Sequence, residues 1–180
     1  MAGITVLALV GSLRAASLNR QLAEVAARSA PDGVDVTVYA GLGDLPFYNE
    51  DIDTAEPPPA VRALRAAAGD ADAILVVTPE YNGSIPGVLK NAIDWLSRPW
   101  GEGALKGKPL AVIGTAMGRY GGAWAHDEAR KSFGIAGARA VESISMSLPA
   151  ATLDGKHPGD DAEVAAAVRE AVATLAAEVG

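Results

Sequence analysis

The chain has no cysteine and only two histidines. Without thiols there can be no disulfide, thiolate zinc site or cysteine nucleophile, so any redox chemistry needs a bound cofactor. His126 and His157 lie far apart in sequence and neither falls in a metal-ligand motif, so no metal site is expected. Basic charge is also scarce: 15 Lys and Arg against 22 Asp and Glu leave a net charge of −7. That balance disfavours nucleic acid or an anionic membrane as a partner, while an anionic cofactor answers only to the local field. No apolar run approaches a membrane span and the chain opens without a basic-then-apolar leader, which sets the expectation of a cytoplasmic protein. A length of 180 residues without internal repeats is read as one domain, 1–180.

What is present is an alternation of strand and helix patterns. Ile4 to Val10, Ala73 to Thr78 and Pro109 to Gly114 are short apolar runs of the kind buried on both faces of a sheet. Val34 to Tyr39 alternates like a strand nearer an edge, and Arg139 to Leu148 reads as a fifth strand with an irregular end. Between them, apolar residues recur at helical spacing: Leu18, Leu22 and Val25; Val61, Leu64 and Ala68; Val88, Leu89, Ala92 and Ile93. A last helix is expected over Ala162 to Val179. Such alternation implies an α/β three-layer sandwich, a parallel sheet with helices on both faces, and five strands fit the flavodoxin-like order 2-1-3-4-5. In that order a ligand crevice opens between strands 1 and 3 at their carboxyl ends.

Three unusual loops follow strands 1, 3 and 4. The first, Gly11 to Arg20, joins strand to helix: Gly11 permits the turn, Ser12, Ser17 and Asn19 offer hydroxyl and amide groups, and Arg14 supplies positive charge. It reads as a phosphate cradle, although it is neither Walker A nor Gly-x-Gly-x-x-Gly, and a solvated strand-to-helix turn is the plain alternative. The second runs Pro79-Glu80-Tyr81-Asn82-Gly83-Ser84-Ile85-Pro86, an Asn-Gly turn beside an aromatic ring. The third, Thr115 to Gly122, holds three glycines, which suit close approach to a ligand or a sharp turn. A phosphate at the first loop and a flat ring against the other two describe a bound mononucleotide, and flavin fits better than ATP because no P-loop Lys or magnesium carboxylate pair is visible.

Elsewhere, Leu42 to Pro59 is a long loop whose segment Leu45–Asn49 either borders a site or subunit contact or is anchored in the core by Phe47. Trp95, Trp100 and Tyr120 suit a two-fold interface or the core. Asp94, His126 and Asp127 read as surface or interface residues rather than ligands.

The residues Gly11-Ser12-Leu13-Arg14-x-x-Ser17-x-Asn19-Arg20, the long run Pro79 to Trp95, and Gly118-x-x-Gly121-Gly122 closely resemble the NADPH-dependent FMN reductase family. The resemblance covers nearly the whole chain. It implies a flavodoxin-like fold, bound FMN, NADPH or NADH as hydride donor, and quinones, azo dyes, chromate or flavins as acceptors, in a homodimer or homotetramer. It also implies that Ser12, Arg14, Ser17 and Asn19 hold the FMN phosphate. Pro79, Glu80, Tyr81, Asn82 and Gly83 would then line the isoalloxazine ring, with Thr115, Gly118, Gly121 and Gly122 near its other side. No catalytic side chain is implied, since the flavin carries the chemistry. Ala116 and Trp124 depart from the Ser and Arg common at those positions, which bears on the substrate and subunit contacts. Arg119 and Tyr120 are candidates for contact with the nicotinamide nucleotide, with a solvated loop pair as the plain alternative. A flavodoxin-type electron carrier and a flavin reductase that releases reduced FMN to a partner monooxygenase are the competing readings; flavodoxins carry a Ser/Thr-rich, glycine-bearing phosphate loop unlike the Arg-containing one here.

Overall fold

The apolar run that opens the chain forms strand β1 (Ile4–Val10), whose last five residues are buried. In the computed structural model, which describes residues 3–180, it pairs in parallel with β2 (Val34–Tyr39) on one side and β3 (Ala73–Val77) on the other. Strand β4 (Pro109–Ala116) continues the sheet beyond β3, and with β5 (Arg139–Ala140) beside it the order is β2-β1-β3-β4-β5. Every residue of β3 is buried, which explains why its sequence is uniformly apolar rather than alternating.

Helices cover both faces. On one side α1 (Leu18–Arg28) and α5 (Ala162–Ala177) pack Leu22, Val25, Val168 and Val172 against Val6, Ala8, Leu75 and Ile113. On the other, α2 (Pro59–Asp70), α3 (Gly87–Leu96) and α4 (Ala123–Ile135) pack Leu64, Leu89, Trp95 and Phe133 against Leu7, Leu9, Ile74 and Leu110. Proline starts two of these helices, at Pro59 and just before Gly87, where a missing N–H costs nothing.

The expected fifth strand is broken in two. Strand β5 (Arg139–Ala140) pairs with Pro109 and Leu110, and β6 (Met146–Pro149) rejoins β4 from Ile113 to Ala116. Between them, residues 141–145 leave the ladder in a turn, with Val141 N–H bonded to the Leu110 carbonyl and Ile144 N–H to the Val141 carbonyl. Val141 and Ile144 are three residues apart, so a turn drops both into the core where a continuous strand would point one outward.

The loop after β2 also departs from one expectation. Phe47 is not a core anchor: it is 86% exposed. The backbone around it is pinned instead by α3, since Asn91 Nδ2 and Trp95 Nε1 both donate to the Pro46 carbonyl at 2.9 and 2.8 Å. Asn91 Oδ1 accepts from Tyr48 N–H at 2.8 Å, and the Tyr48 ring stands edge-on to Trp95. Trp95 is therefore a buried tether for this loop, while Trp100 and Tyr120 are exposed. Asp94 lies at the surface as read, paired with Lys90.

Where β1, β3 and β4 end, the backbones come very close. A Cβ on Gly114 of β4 would lie 2.1 Å from the Thr78 carbonyl oxygen and 2.8 Å from both Asn19 Oδ1 and His126 Nε2. Nothing there is the free end of a flexible chain, so Gly114→Ala must push backbone apart. It is expected to destabilise the fold by about 2–3 kcal/mol, read as a lower urea midpoint at unchanged slope.

Candidate functional site

The carboxyl ends of β1, β3 and β4 open into a cleft of about 380 Å³ walled by the three loops. From the first loop, Ser12, Arg14, Ser17 and Asn19 all line it. Ser17 is the N-cap of α1: its hydroxyl accepts from Arg20 N–H at 3.4 Å, and its own N–H is bonded to the Arg14 carbonyl in a tight turn. Leu18 and Asn19 then occupy the first turn, where amides have no intrahelical partner and form a natural seat for an anion. Arg14 stands exposed at the rim.

Asn19 does something the sequence does not disclose. Its side chain is buried, with Nδ2 donating to the Thr115 carbonyl and Oδ1 accepting from Thr115 N–H, both at 2.9 Å. The amide thus pairs with β4 as another strand would, and only the backbone of Asn19 is left for a ligand. Thr115 itself carries a buried hydroxyl with no protein partner, in the wall of the cleft.

The second loop supplies Pro79, Glu80 and Tyr81 to the wall. Asn82 and Gly83 have φ of 54° and 75° and form a two-residue turn closed by paired bonds between Tyr81 and Ser84. They are exposed at its tip, next to the lining residues rather than among them. From the third loop Gly118 lines the cleft, joined by Ala116 and Met117, while Gly121 and Gly122 do not. Both have positive φ, and a Cβ on Gly121 would lie 2.4 Å from the Ser147 carbonyl. These two glycines shape the loop and start α4. Trp124 leans toward the Gly83 turn and lies 5.5 Å from the Tyr120 ring. Leu18 and Ala150 complete the lining and carry no motif that would have marked them.

The model of the NADPH-dependent FMN reductase family matches residues 4–153. The chain belongs to that family. Among relatives of the FMN reductase fold, it is 48% identical over 122 residues to a 2-hydroxy-1,4-benzoquinone reductase from Burkholderia, covering 68% of this chain and 66% of that one. It is 42% identical over 151 residues to a quinone reductase from Pseudomonas putida, covering 84% and 78%. The structure of FerB, a flavoenzyme NAD(P)H:(acceptor) oxidoreductase from Paracoccus denitrificans, superposes with a TM-score of 0.86 at 35% identity over 98% of this chain and 97% of that one. FMN and NAD(P)H are accordingly the cofactor and reductant of this FMN reductase family member. The cleft fits FMN on its own terms: it has an anion seat at a helix N-terminus, a buried hydroxyl lacking a partner, and a volume in the range of small-molecule sites.

Beneath the cleft, the FMN reductase fold is fastened by a histidine. His126 is not a surface residue: it is fully buried. Its Nε2 lies 3.0 Å from the Thr78 carbonyl and its Nδ1 2.7 Å from Ser147 Oγ. A carbonyl only accepts, so Nε2 carries the proton, and the neutral ring takes the Ser147 hydroxyl proton at Nδ1. Burial pushes the His126 pKa down, against a smaller opposing pull from its bond to Thr78. The unfolded chain gains a proton on this ring below about pH 6.5, whereas the folded one gains it only at lower pH, so this contribution to stability is full above about pH 6.5 and is lost as pH falls toward the lowered folded value. His126→Gln is expected to be less stable at pH 7.5, with the gap to the parent narrowing toward pH 5 in urea titrations. A gap that stays constant with pH would remove His126 as the source of the acid sensitivity.

Proposed function

We propose that this chain holds FMN in the cleft and uses NAD(P)H to reduce quinone-like acceptors, with azo compounds, metal oxyanions and free flavins as further acceptors. The observation that carries this is the meeting of three loops, far apart in sequence, around one cleft at the ends of β1, β3 and β4. The names of the relatives support the quinone class. FMN held there would supply two-electron redox chemistry between the nicotinamide and the acceptor.

The chain's own residues bind and orient. Ser12, Arg14 and the first-turn amides of α1 hold the phosphate, and Ser17 fixes that turn as its cap. Pro79, Tyr81 and the tip amides of Asn82 and Gly83 border the ring, with the Thr115 hydroxyl and the backbone at Gly118 on the other side. Hydrogen-bond donors from backbone and hydroxyl suit the negative charge that builds on the ring during reduction. No side chain needs to move a proton, and Glu80, the carboxylate in the wall, is already bonded to the backbone of α4.

An oligomer, dimeric or tetrameric, is part of the same reading. Phe47 on its pinned loop, Trp100, Met117 and Trp124 are each more than half exposed, an aromatic and apolar surface that suits a copy of the same chain. A cytoplasmic site of action agrees with the supply of reduced nicotinamide there, and no helix among the described residues is long and apolar enough to cross a membrane.

Two measurements check this reading. After FMN addition and desalting, the protein should stay yellow and bleach anaerobically with NADPH or NADH; a bound flavin left oxidised by both would favour an electron carrier instead. In titrations with FMN, Arg14→Ala should bind roughly tenfold or more weakly, the scale of losing a charge-assisted hydrogen bond. Unchanged affinity would take the phosphate away from Arg14.

A further inference from the structure

Helix α4 begins without a cap of its own. Its N-cap position is Gly122, at φ 97°, with no side chain to offer, and no acidic residue lies in its first turn. The acceptor comes from a different loop: Glu80, on the loop after β3 and in the cleft wall, takes a hydrogen bond at Oε2 from the N–H of Ala125 at 3.2 Å. Ala125 is the third residue of α4, the position an ordinary capping side chain serves. The second loop, which lines the cleft, is therefore joined to the start of α4 by one carboxylate, 45 residues distant in sequence from the amide it binds.

The same contact has an electrostatic side. A helix N-terminus carries about half a positive charge, and a positive pole at a flavin favours the reduced, negatively charged ring. A carboxylate seated on that pole cancels it. We propose that Glu80 is a positioning residue that latches the second loop, in the cleft wall, to the start of α4 and masks the positive end of that helix, keeping the reduction potential of bound FMN low. A low potential makes the reduced flavin a stronger donor to its acceptor. The masking rests on FMN occupying this cleft; the latch does not.

The test uses the full chain with and without FMN, and two variants. Glu80→Gln keeps an acceptor oxygen at the same reach and removes the charge. It should bind oxidised FMN within threefold of the parent, while the reduced form gains about tenfold in relative affinity. That gain corresponds to a midpoint potential more positive by about 30 mV for a two-electron couple. Glu80→Ala loses both roles, so FMN affinity should fall about tenfold and, in the protein without FMN, the Ala125 amide should exchange with deuterium at least tenfold faster. A Glu80→Gln potential equal to that of the parent overturns the masking. Unchanged Ala125 exchange in Glu80→Ala overturns the latch. A parent protein that retains no FMN overturns the cofactor reading and the masking with it, and the exchange measurement still decides the latch.

Discussion

A small buried polar knot holds the floor of the cleft, and the rest of the site depends on it. The Thr78 carbonyl meets His126 Nε2, His126 Nδ1 meets Ser147, and the Asn19 amide clasps the backbone of Thr115. These contacts tie β3 to α4, α4 to β6 and α1 to β4, at the level where the loops leave the sheet. Buried polar groups are costly when unpaired, so each partner is needed by the others and the geometry has little freedom. Gly114 sits at the centre because the convergence leaves no room for a methyl group. The knot explains how three loops far apart in sequence can present fixed hydrogen-bonding groups to one cleft.

The outline of the fold was legible because burial on both faces writes itself plainly into β1, β3 and β4, whose runs are apolar throughout. Once the strand order is known, topology alone places the first, second and third loops at one end of the sheet. The first-loop residues were legible as cleft residues, since Ser12, Arg14, Ser17 and Asn19 all line it, but not the structural duties that two of them carry: Ser17 caps α1 and the Asn19 amide pairs with Thr115. What escaped was anything whose role depends on tertiary contact. His126 lies among Ala125, Ala129 and Phe133, and alanines give so little contrast between faces of α4 that its buried side looks like surface. Phe47 misled in the opposite direction, since an aromatic residue suggests the core while the hydrogen bonds that pin its loop come from α3. The break between β5 and β6 was signalled only by the three-residue spacing of Val141 and Ile144.

The glycines of the third loop show how one motif can serve two ends. Gly118 is exposed at the cleft, whereas Gly121 and Gly122 are buried with positive φ, and their lack of side chains lets the loop press against β6 and His126. Sequence places all three in a single ligand loop. Packing separates them: Gly118 borders the cleft, and the glycine pair behind it shapes the loop and the start of α4.

The division between floor and rim bears on the chemistry. Below, the groups are buried and paired; above, Tyr81, Met117 and Tyr120 on the loops and Trp124 at the start of α4 are exposed. A rigid floor suits the orientation of one cofactor, because hydride transfer requires close and repeatable approach. An open aromatic rim makes weaker demands and accepts flat partners by stacking and shape rather than by a fixed set of hydrogen bonds. On the proposed function, buried polar groups would select the cofactor, while their scarcity at the mouth would leave the acceptor less constrained. A substitution in the knot should therefore disturb every acceptor alike, whereas a change at Trp124 or Tyr120 should alter the ranking among acceptors while leaving FMN in place; steady-state comparison of two quinones of different size would separate these two behaviours.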